Sequence, residues 1–459
     1  MRAANLGDGR RVARATRMLA RAAERPGGRL TEVMRDPAEA QGAYDMLEGG
    51  RVSAQALLAS FASATVQRAA DASYVLAVVD GSSLKLTDLT HDKGLGSLGA
   101  LRNGARGVKV INALAVDECG ATIGLLGQVW WARTNAKRDS RDKRKRNMKR
   151  PLCDKETRHW IEAFEQAKTA ADKGGVRLWF QVDREGDNRD LLLALKDTGH
   201  DFTVRAAWDR VLEATGEDKQ KLRQRVAKAS TAGSYELPIL GGKKRAKRTA
   251  HMVVRTARVT LAMHQRGNCD VKSLVVNAVW AVEEGTTPKG EKPLDWLLLT
   301  SRSIDTFADA CEVVQAYTKR WRIEDFHRTW KSSLCRAEEM QLRSFQAVTV
   351  WATMLANVAA RAERLRLLAR TQPEQPADLE LSPVEIRALI LLKRESRKRN
   401  EVIPDAMPTI KTAVLWIAQL GGYTGKSSGG PPGAITIRRG LEILGPAAKM
   451  LAIVEAGRR

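Results

Sequence analysis

The run Tyr74-Val75-Leu76-Ala77-Val78-Val79-Asp80 constrains the fold more than any other stretch. It is almost continuously apolar and ends on an acid. Such a run reads as a strand buried on both faces, with a carboxylate at its C-terminal end. The pattern returns at Arg177-Leu178-Trp179-Phe180-Gln181-Val182-Asp183. Val108 to Val116 and Thr122 to Trp131 read as further strands, and 155–173 and about Asn188 to Lys196 as helices. This rhythm of strand, acid, helix and strand predicts an α/β sheet.

The flanks differ. Residues 9–25 read as a helix ended by Pro26-Gly27-Gly28, and 30–70 continue mostly helical. Arg10, Arg14, Arg17, Arg21 and Arg25 recur every three or four positions in the first helix, with Glu24 the only acid near them. One basic stripe results, suited to a DNA backbone, with a solvated helix face as the plainer alternative. From about 201 to 301 the signal is mostly β: Phe202 to Ala206, Met252 to Met263, Val271 to Val282 and Trp296 to Ser301. Lys243 to Arg248 reads as a basic hairpin there, and 137–150 as a basic loop or helix edge. A helix over 345–370 precedes a linker at Pro373 and Pro376, and 382–459 is helical with Gly-rich breaks. The expected units are a helical N-terminal domain (1–70), a core (71–344) with an all-β insertion at about 205–300, and a helical C-terminal domain (345–459).

The charge balance points to a partner. Lys and Arg number 77 against 53 Asp and Glu, a formal charge of +24. This favours a polyanion, nucleic acid or an anionic membrane. The longest uncharged stretch, Ser344 to Ala360, is too short and too polar for a membrane span. The first eight residues hold no apolar core of a signal peptide. The five Cys (119, 153, 269, 311, 335) are scattered, and the six His are isolated. Neither a zinc site nor a disulfide framework is expected, and a reducing cytoplasm fits.

The segment Tyr317-Thr318-Lys319-Arg320-Trp321-Arg322-Ile323-Glu324-Asp325-Phe326-His327-Arg328-Thr329-Trp330-Lys331 lies in a stretch free of Pro and Gly. Tyr317, Arg320, Glu324 and Lys331 are spaced three, four and seven apart, so they share one face of a helix. That face offers a carboxylate flanked by two cations and a phenol. Ordinary charge pairs on an amphipathic helix are the alternative. Asp80, Asp183 and Glu324 can nevertheless converge at one edge of the sheet. Three hard oxygen ligands suit Mg²⁺ or Mn²⁺. Two such ions serve phosphoryl transfer on DNA.

With these residues in view, the sequence resembles the transposon-five type of the insertion-sequence-four group of DDE transposases. Carrying the likeness are Tyr317 to Lys331, Asp183-Arg184-Glu185-Gly186-Asp187 and Ala77-Val78-Val79-Asp80. Pro293 to Ser301, Gly7 to Arg11 and Ile417 to Gly422 add to it. The resemblance implies an RNase H-like core interrupted by a β insertion, with an N-terminal DNA-binding domain and a C-terminal dimerisation domain. It implies a metal-binding triad at Asp80, Asp183 and Glu324, and DNA contacts at Tyr317, Arg320, Lys331 and Arg205. Trp296 matches a residue that stacks on a flipped base, where a core Trp on a buried strand is the alternative. A route through a DNA hairpin is implied by the resemblance alone.

The expectation is a bacterial, nucleoid-associated cytoplasmic transposase. It binds the inverted-repeat ends of its element as double-stranded DNA, pairs them as a homodimer, cuts, and joins them to target DNA. A non-catalytic regulator that binds the same ends, or a structure-specific nuclease on the same core, are the other two readings.

Overall fold

The computed structural model describes residues 5–99, 104–133, 151–213, 220–239, 241, 246–264, 271–397, 401–425 and 430–457. The basic stretch at 137–150 and residues 243–245 of the basic hairpin at 243–248 lie outside them. Arg248, which is described, forms ion pairs with Glu283 and Glu291.

Four helices come first: α1 (Gly9–Glu24), α2 (Leu30–Val33), α3 (Pro37–Glu48) and α4 (Ala54–Arg68). The Asp8 carboxylate caps α1 by accepting from the Arg10 N–H, and α3 and α4 are capped in the same way by Asp36 and Ser53. Strands β1 (Val75–Lys85), β2 (Gly96–Ser97), β3 (Arg106–Val116) and β4 (Thr122–Trp131) follow. Next come α5 (Thr157–Lys173), β5 (Leu178–Val182), α6 (Arg189–Asp197) and β6 (Asp201–Arg205). The β-rich stretch holds α7 (Leu222–Ala227), β7 (Thr231–Ile239), β8 (Arg248–His264), β9 (Val271–Glu284) and β10 (Asp295–Thr300). It is therefore not purely β, and it includes β7, where Tyr235, Leu237 and Ile239 alternate with Ser234, Glu236 and Pro238, a period-two signal not counted among the expected strands.

The ten strands form one sheet, in the order β2-β3-β1-β5-β6-β10-β9-β8-β7, with β4 also paired to β3. β1 runs antiparallel to β3 but parallel to β5, and β5 parallel to β6. The β-rich stretch continues this sheet through antiparallel pairing of β10 with β6. Both faces are covered, as continuous apolar strands require. Val75, Ala77 and Val79 enter one core with Phe164 of α5 and Leu192 of α6. Leu76 and Val78 point the opposite way, into a core shared with the N-terminal helices.

Helix α8 (Phe307–Thr318) opens with a capping box between Thr306 and Asp309. A 3₁₀ turn (Lys319–Trp321), α9 (Arg322–Arg328) and a π turn (Thr329–Ser333) follow without a break. The long α10 (Phe345–Thr371) is buried along most of its length. α11 (Pro383–Glu395), α12 (Ile410–Leu420) and α13 (Ala434–Gly457) build a third core with its C-terminal part. Among the described residues, no helix is long and apolar enough to cross a membrane.

Gly28 joins the N-terminal helices to the centre of the protein. Its carbonyl accepts the indole N–H of buried Trp351 on α10 at 2.8 Å. A Cβ on Gly28 would lie 2.2 Å from the Arg336 carbonyl oxygen and 3.1 Å from Met340 N. Both are backbone atoms and cannot step aside alone. Gly28→Ala is expected to lower stability by roughly 1–3 kcal/mol, the scale of overpacking. Denaturant unfolding of the two proteins checks this, and an unchanged midpoint would refute the close approach.

Candidate active site

The site starts on two neighbouring strands. β1 and β5 are parallel with Val79 opposite Val182, which sets Asp80 beside Asp183. Asp183 follows the last residue of β5, but β1 runs on to Lys85, so Asp80 lies inside its strand, opposite Asn112, and not at the strand end that the apolar run suggested. Alternation decides which way they point. Leu76 and Val78 on β1 and Trp179 on β5 face the core that holds Phe326 and Trp330, and Asp80 and Asp183 continue that parity. Asp183 also caps the short 3₁₀ turn Arg184–Gly186, its carboxylate accepting from the Glu185 N–H at 2.8 Å.

The third acid arrives on α9. Ile323, Phe326 and Trp330 are fully buried and anchor this region against the same face of the sheet. Phe326 and Trp330 stack with ring centroids 5.8 Å apart, and Trp130 of β4 meets Trp330 edge-on. That anchoring brings Glu324 over these strands. Oxygens of Asp80 and Glu324 and a ring nitrogen of His327 lie within 4.8 Å of one another. Arg320 lies between the two acids, its guanidinium 3.5 Å from Asp80 and 3.6 Å from Glu324.

The expectation of one straight helical face needs revision. Arg320 lies in the 3₁₀ turn, and Lys331 in the π turn. The first overwinds the chain and the second underwinds it, so neither residue holds its ideal place relative to Glu324. Arg320 is thereby turned inward and buried. Lys331 makes an ion pair with Glu338 at 3.7 Å. Tyr317 is buried, which pushes its phenol above the ordinary value, while nearby Arg320 and Arg205 pull the other way. Arg205 ends β6 and donates to the Asp295 carbonyl at 2.8 Å. Trp296, next along β10, is half-buried and packs on the central core. It is neither a free platform nor a fully enclosed core residue.

Electrostatics single out Asp80. Burial, then the Asp183 and Glu324 charges, push its carboxyl up to about 7, and Arg320 offsets only part of this. Asp80 and Glu324 share one cationic side chain, the Asp183 charge adds to theirs, and the site is short of positive charge. A hard divalent cation suits that donor set, with Asp80 and Glu324 the nearest pair of oxygens. Glu185 is raised too, by burial and then by Asp183.

The N-terminal stripe lies apart from this site. Arg10, Arg14 and Arg17 are exposed, although Arg14 also donates to the Gly42 carbonyl. Glu24 is not the only acid near the stripe, since Asp8 lies 3.8 Å from the Arg10 guanidinium. Arg21 departs from the expectation of an uncompensated stripe. Its side chain is only 12% exposed and forms ion pairs with Glu24 at 3.2 Å and Glu39 at 2.9 Å. Glu39 comes from α3, an acid that the sequence of α1 alone does not reveal. Three site residues were missed by sequence reasoning: His327, Asn112 and Glu185. His327 had a signal, since it stands one turn beyond Glu324 on the same helix. Asn112 had none, because its place opposite Asp80 comes from strand pairing.

Three family models match the chain. One described as a transposase DDE domain covers residues 64–360, well over half of the protein and all three acids. A transposase DNA-binding model covers 1–52, which includes the arginine stripe. A transposase Tn5 dimerisation domain covers 357–451.

The raised Asp80 carboxyl carries a prediction. The folded protein retains a proton there between about pH 4 and about 7 that the unfolded chain has lost. That stabilising contribution is complete below the ordinary carboxyl range and vanishes as the pH rises through about 7. In chelator at pH 8, Asp80→Asn should therefore be more stable than the wild type, by up to about 4 kcal/mol. The advantage should shrink towards pH 4 and reverse when Mg²⁺ or Mn²⁺ is added. Thermal unfolding across this pH range, with and without the ions, reads it. A wild type already as stable as Asp80→Asn in chelator at pH 8 would contradict the charge shortage.

Proposed function

The chain belongs to the DDE transposases, and from that premise we propose that Asp80, Asp183 and Glu324 are the acids of its reaction. As a DNA transposase it binds the ends of a mobile element, pairs as a homodimer, and cuts and joins DNA in a metal-dependent reaction. The dimerisation match speaks against the nuclease reading, and the DDE-domain match with its acids speaks against a regulator that only binds. The observation that carries the assignment of the acids is their placement: Asp80 and Asp183 stand side by side on parallel strands, and Arg320 bridges Asp80 to Glu324 of α9. The order β4-β3-β1-β5-β6, three antiparallel strands and then two parallel ones, supports an RNase H-like core. The strands from β7 to β10 then form its β-rich insertion. Domain limits near 70 and 344 fit the element boundaries, and action at the nucleoid of a bacterial cytoplasm fits the DNA partner.

Asp80, Asp183 and Glu324 would hold two Mg²⁺ or Mn²⁺ ions, which supply charge stabilisation to the attacking and leaving oxygens. The protein's own groups do the rest. Arg320 holds Asp80 and Glu324 together, and it is placed to release charge to a phosphate that enters beside them. Tyr317, Arg205 and Lys331 flank the acids and hold the DNA end, with phosphates contacted by the cations. Trp296 offers one face of its half-buried ring to a base taken out of the stack. Water is the first nucleophile, and the freed 3′-hydroxyl is the second.

Replacing any one acid by its amide, as in Asp80→Asn, Asp183→Asn or Glu324→Gln, should slow cleavage of the element's own ends by roughly a thousandfold, the scale of losing one transition-state stabiliser. End binding in a mobility-shift titration should change little. Near wild-type cutting by Glu324→Gln would sink the assignment.

The exposed arginines of α1 give a separate test. If Arg10 and Arg17 hold phosphates, Arg10→Glu with Arg17→Glu should weaken end binding and flatten its salt dependence. Each lost contact lowers the log–log slope by about 0.9. Arg21→Glu should instead destabilise the N-terminal helices, because it breaks the pairs with Glu24 and Glu39. An unchanged slope in the first variant would leave the stripe a solvated face.

A further inference from the structure

A buried chain of polar side chains runs from α10 to the acids, and the activity described above gives it no role. Thr353 Oγ1 donates to Gln128 Oε1 at 2.6 Å. Gln128 Nε2 donates to Asn112 Oδ1 at 2.8 Å. Asn112 Nδ2 lies 3.0 Å from His327 Nε2. All four residues are buried, Asn112 and Thr353 completely. Polar groups enclosed to this degree are costly unless each is satisfied, so the orientation of every amide matters.

One group fixes those orientations. The Trp130 indole N–H can only donate, and it lies 3.2 Å from both Gln128 Oε1 and Thr353 Oγ1. The oxygen of Gln128 must therefore face Trp130 and Thr353, and its NH₂ must face Asn112. Asn112 then accepts through its oxygen and presents its own NH₂ to His327. Nε2 of His327 is the acceptor and bears no proton. A neutral ring bonded in this way carries its proton on Nδ1. Burial favours the neutral ring, pushing the imidazole down to about 3.

Neither nitrogen of this ring has a lone pair to offer a cation, although the ring stands among the acids. The placement of Asn112 gives the bond another meaning. Asn112 is the cross-strand partner of Asp80 in the β1–β3 pairing. His327 stands one helical turn beyond Glu324. The Asn112–His327 hydrogen bond thus joins the strand beside one acid to the helix that carries another.

We propose that His327 is a positioning residue for the acid pair and not a metal ligand, held by the Thr353–Gln128–Asn112 chain so that Glu324 stays in register with Asp80. The inference rests on the assignment of Asp80 and Glu324 as cation-holding acids. The chain begins on α10, which spans the boundary between the stretches matched as the DDE domain and the dimerisation domain. Glu324 is therefore aligned from the same helix that leads into the dimerisation region.

The test uses the whole protein, with Mn²⁺ as the probe, bound in solution and followed by electron paramagnetic resonance. His327→Gln keeps an acceptor near the place of Nε2. His327→Leu removes it and leaves the Asn112 NH₂ unpartnered. His327→Leu combined with Asn112→Leu removes both ends of the bond and avoids that orphan. Loss of an orienting partner typically weakens metal affinity by ~10–100-fold. His327→Leu and the double variant should bind Mn²⁺ at least about tenfold more weakly, with the double variant keeping a cooperative unfolding transition. His327→Gln should recover most of the affinity and the wild-type ratio of Mn²⁺- to Mg²⁺-supported cleavage.

Spin-echo modulation from a ¹⁴N nucleus of a directly coordinated imidazole, in Mn²⁺ bound to the wild type, would overturn the proposal. So would equal losses in His327→Gln and His327→Leu, or wild-type binding by the double variant. Glu324→Gln separates the two layers of the argument. If it binds Mn²⁺ as the wild type does, the assignment of the acids fails. If it loses Mn²⁺ while the double variant retains it, only the role of His327 fails.

Discussion

A carboxylate withdrawn from water must find positive charge, and Asp80 finds too little in the protein itself. It lies inside β1 after Val78 and Val79, both fully buried, and Asp183 and Glu324 add like charge. Arg320 supplies one cation between two acids. Filling the gap with another buried Lys or Arg would pair the site off and close it. Leaving it open keeps a place where a cation gains more than it does on the surface. The stability forgone is the kind of strain that persists only where surrounding packing over-determines it. Here the packing is a sheet apolar on both faces.

Those apolar strands are also why so much was legible. β1 and β5 announce themselves because both faces are buried, and Asp183 marks the end of β5; β1 instead runs on past Asp80 to Lys85, because its pairing with β3 continues where the apolar run stops. β3, β4, α5, α6 and α10 fall within a few residues of where the apolar pattern places them. Less visible were the features that depend on distant partners. Glu39 neutralises Arg21 from another helix. The 3₁₀ and π turns around α9 follow from Phe326 and Trp330 seeking the same core as Trp130, and no local residue signals them. α7 is a short helix inside a β-rich stretch, too short for periodicity to report, whereas β7 did carry an alternation at Tyr235, Leu237 and Ile239 that was legible and overlooked.

The same long-range logic explains α10. An isolated amphipathic helix has one apolar stripe, whereas α10 is buried on nearly every side. Its Trp351 holds the N-terminal helices through Gly28. Its Ala352 carbonyl accepts the Trp330 indole, which anchors the helix of Glu324. Glu363 accepts from the Thr329 hydroxyl, and Arg366 reaches Asp325 at 3.2 Å. Beyond these, its last turns enter the core of α11, α12 and α13. DNA-binding helices, acids and dimerisation region thus share one element as their common support.

Charge is distributed in the opposite sense. The chain carries a formal +24, yet around Asp80 the acids outnumber the cations that pair with them. Many of its arginines are engaged: Arg248 by Glu283 and Glu291, Arg366 by Glu363 and Asp325, Arg364 by Glu380. Such pairs are structural and add little to the field that DNA meets. The excess resides in exposed cations such as Arg17. Charges there are screened by water and salt. Surplus at the rim and deficiency around Asp80 therefore occupy different parts of one chain, and substitutions at the one need not disturb the other.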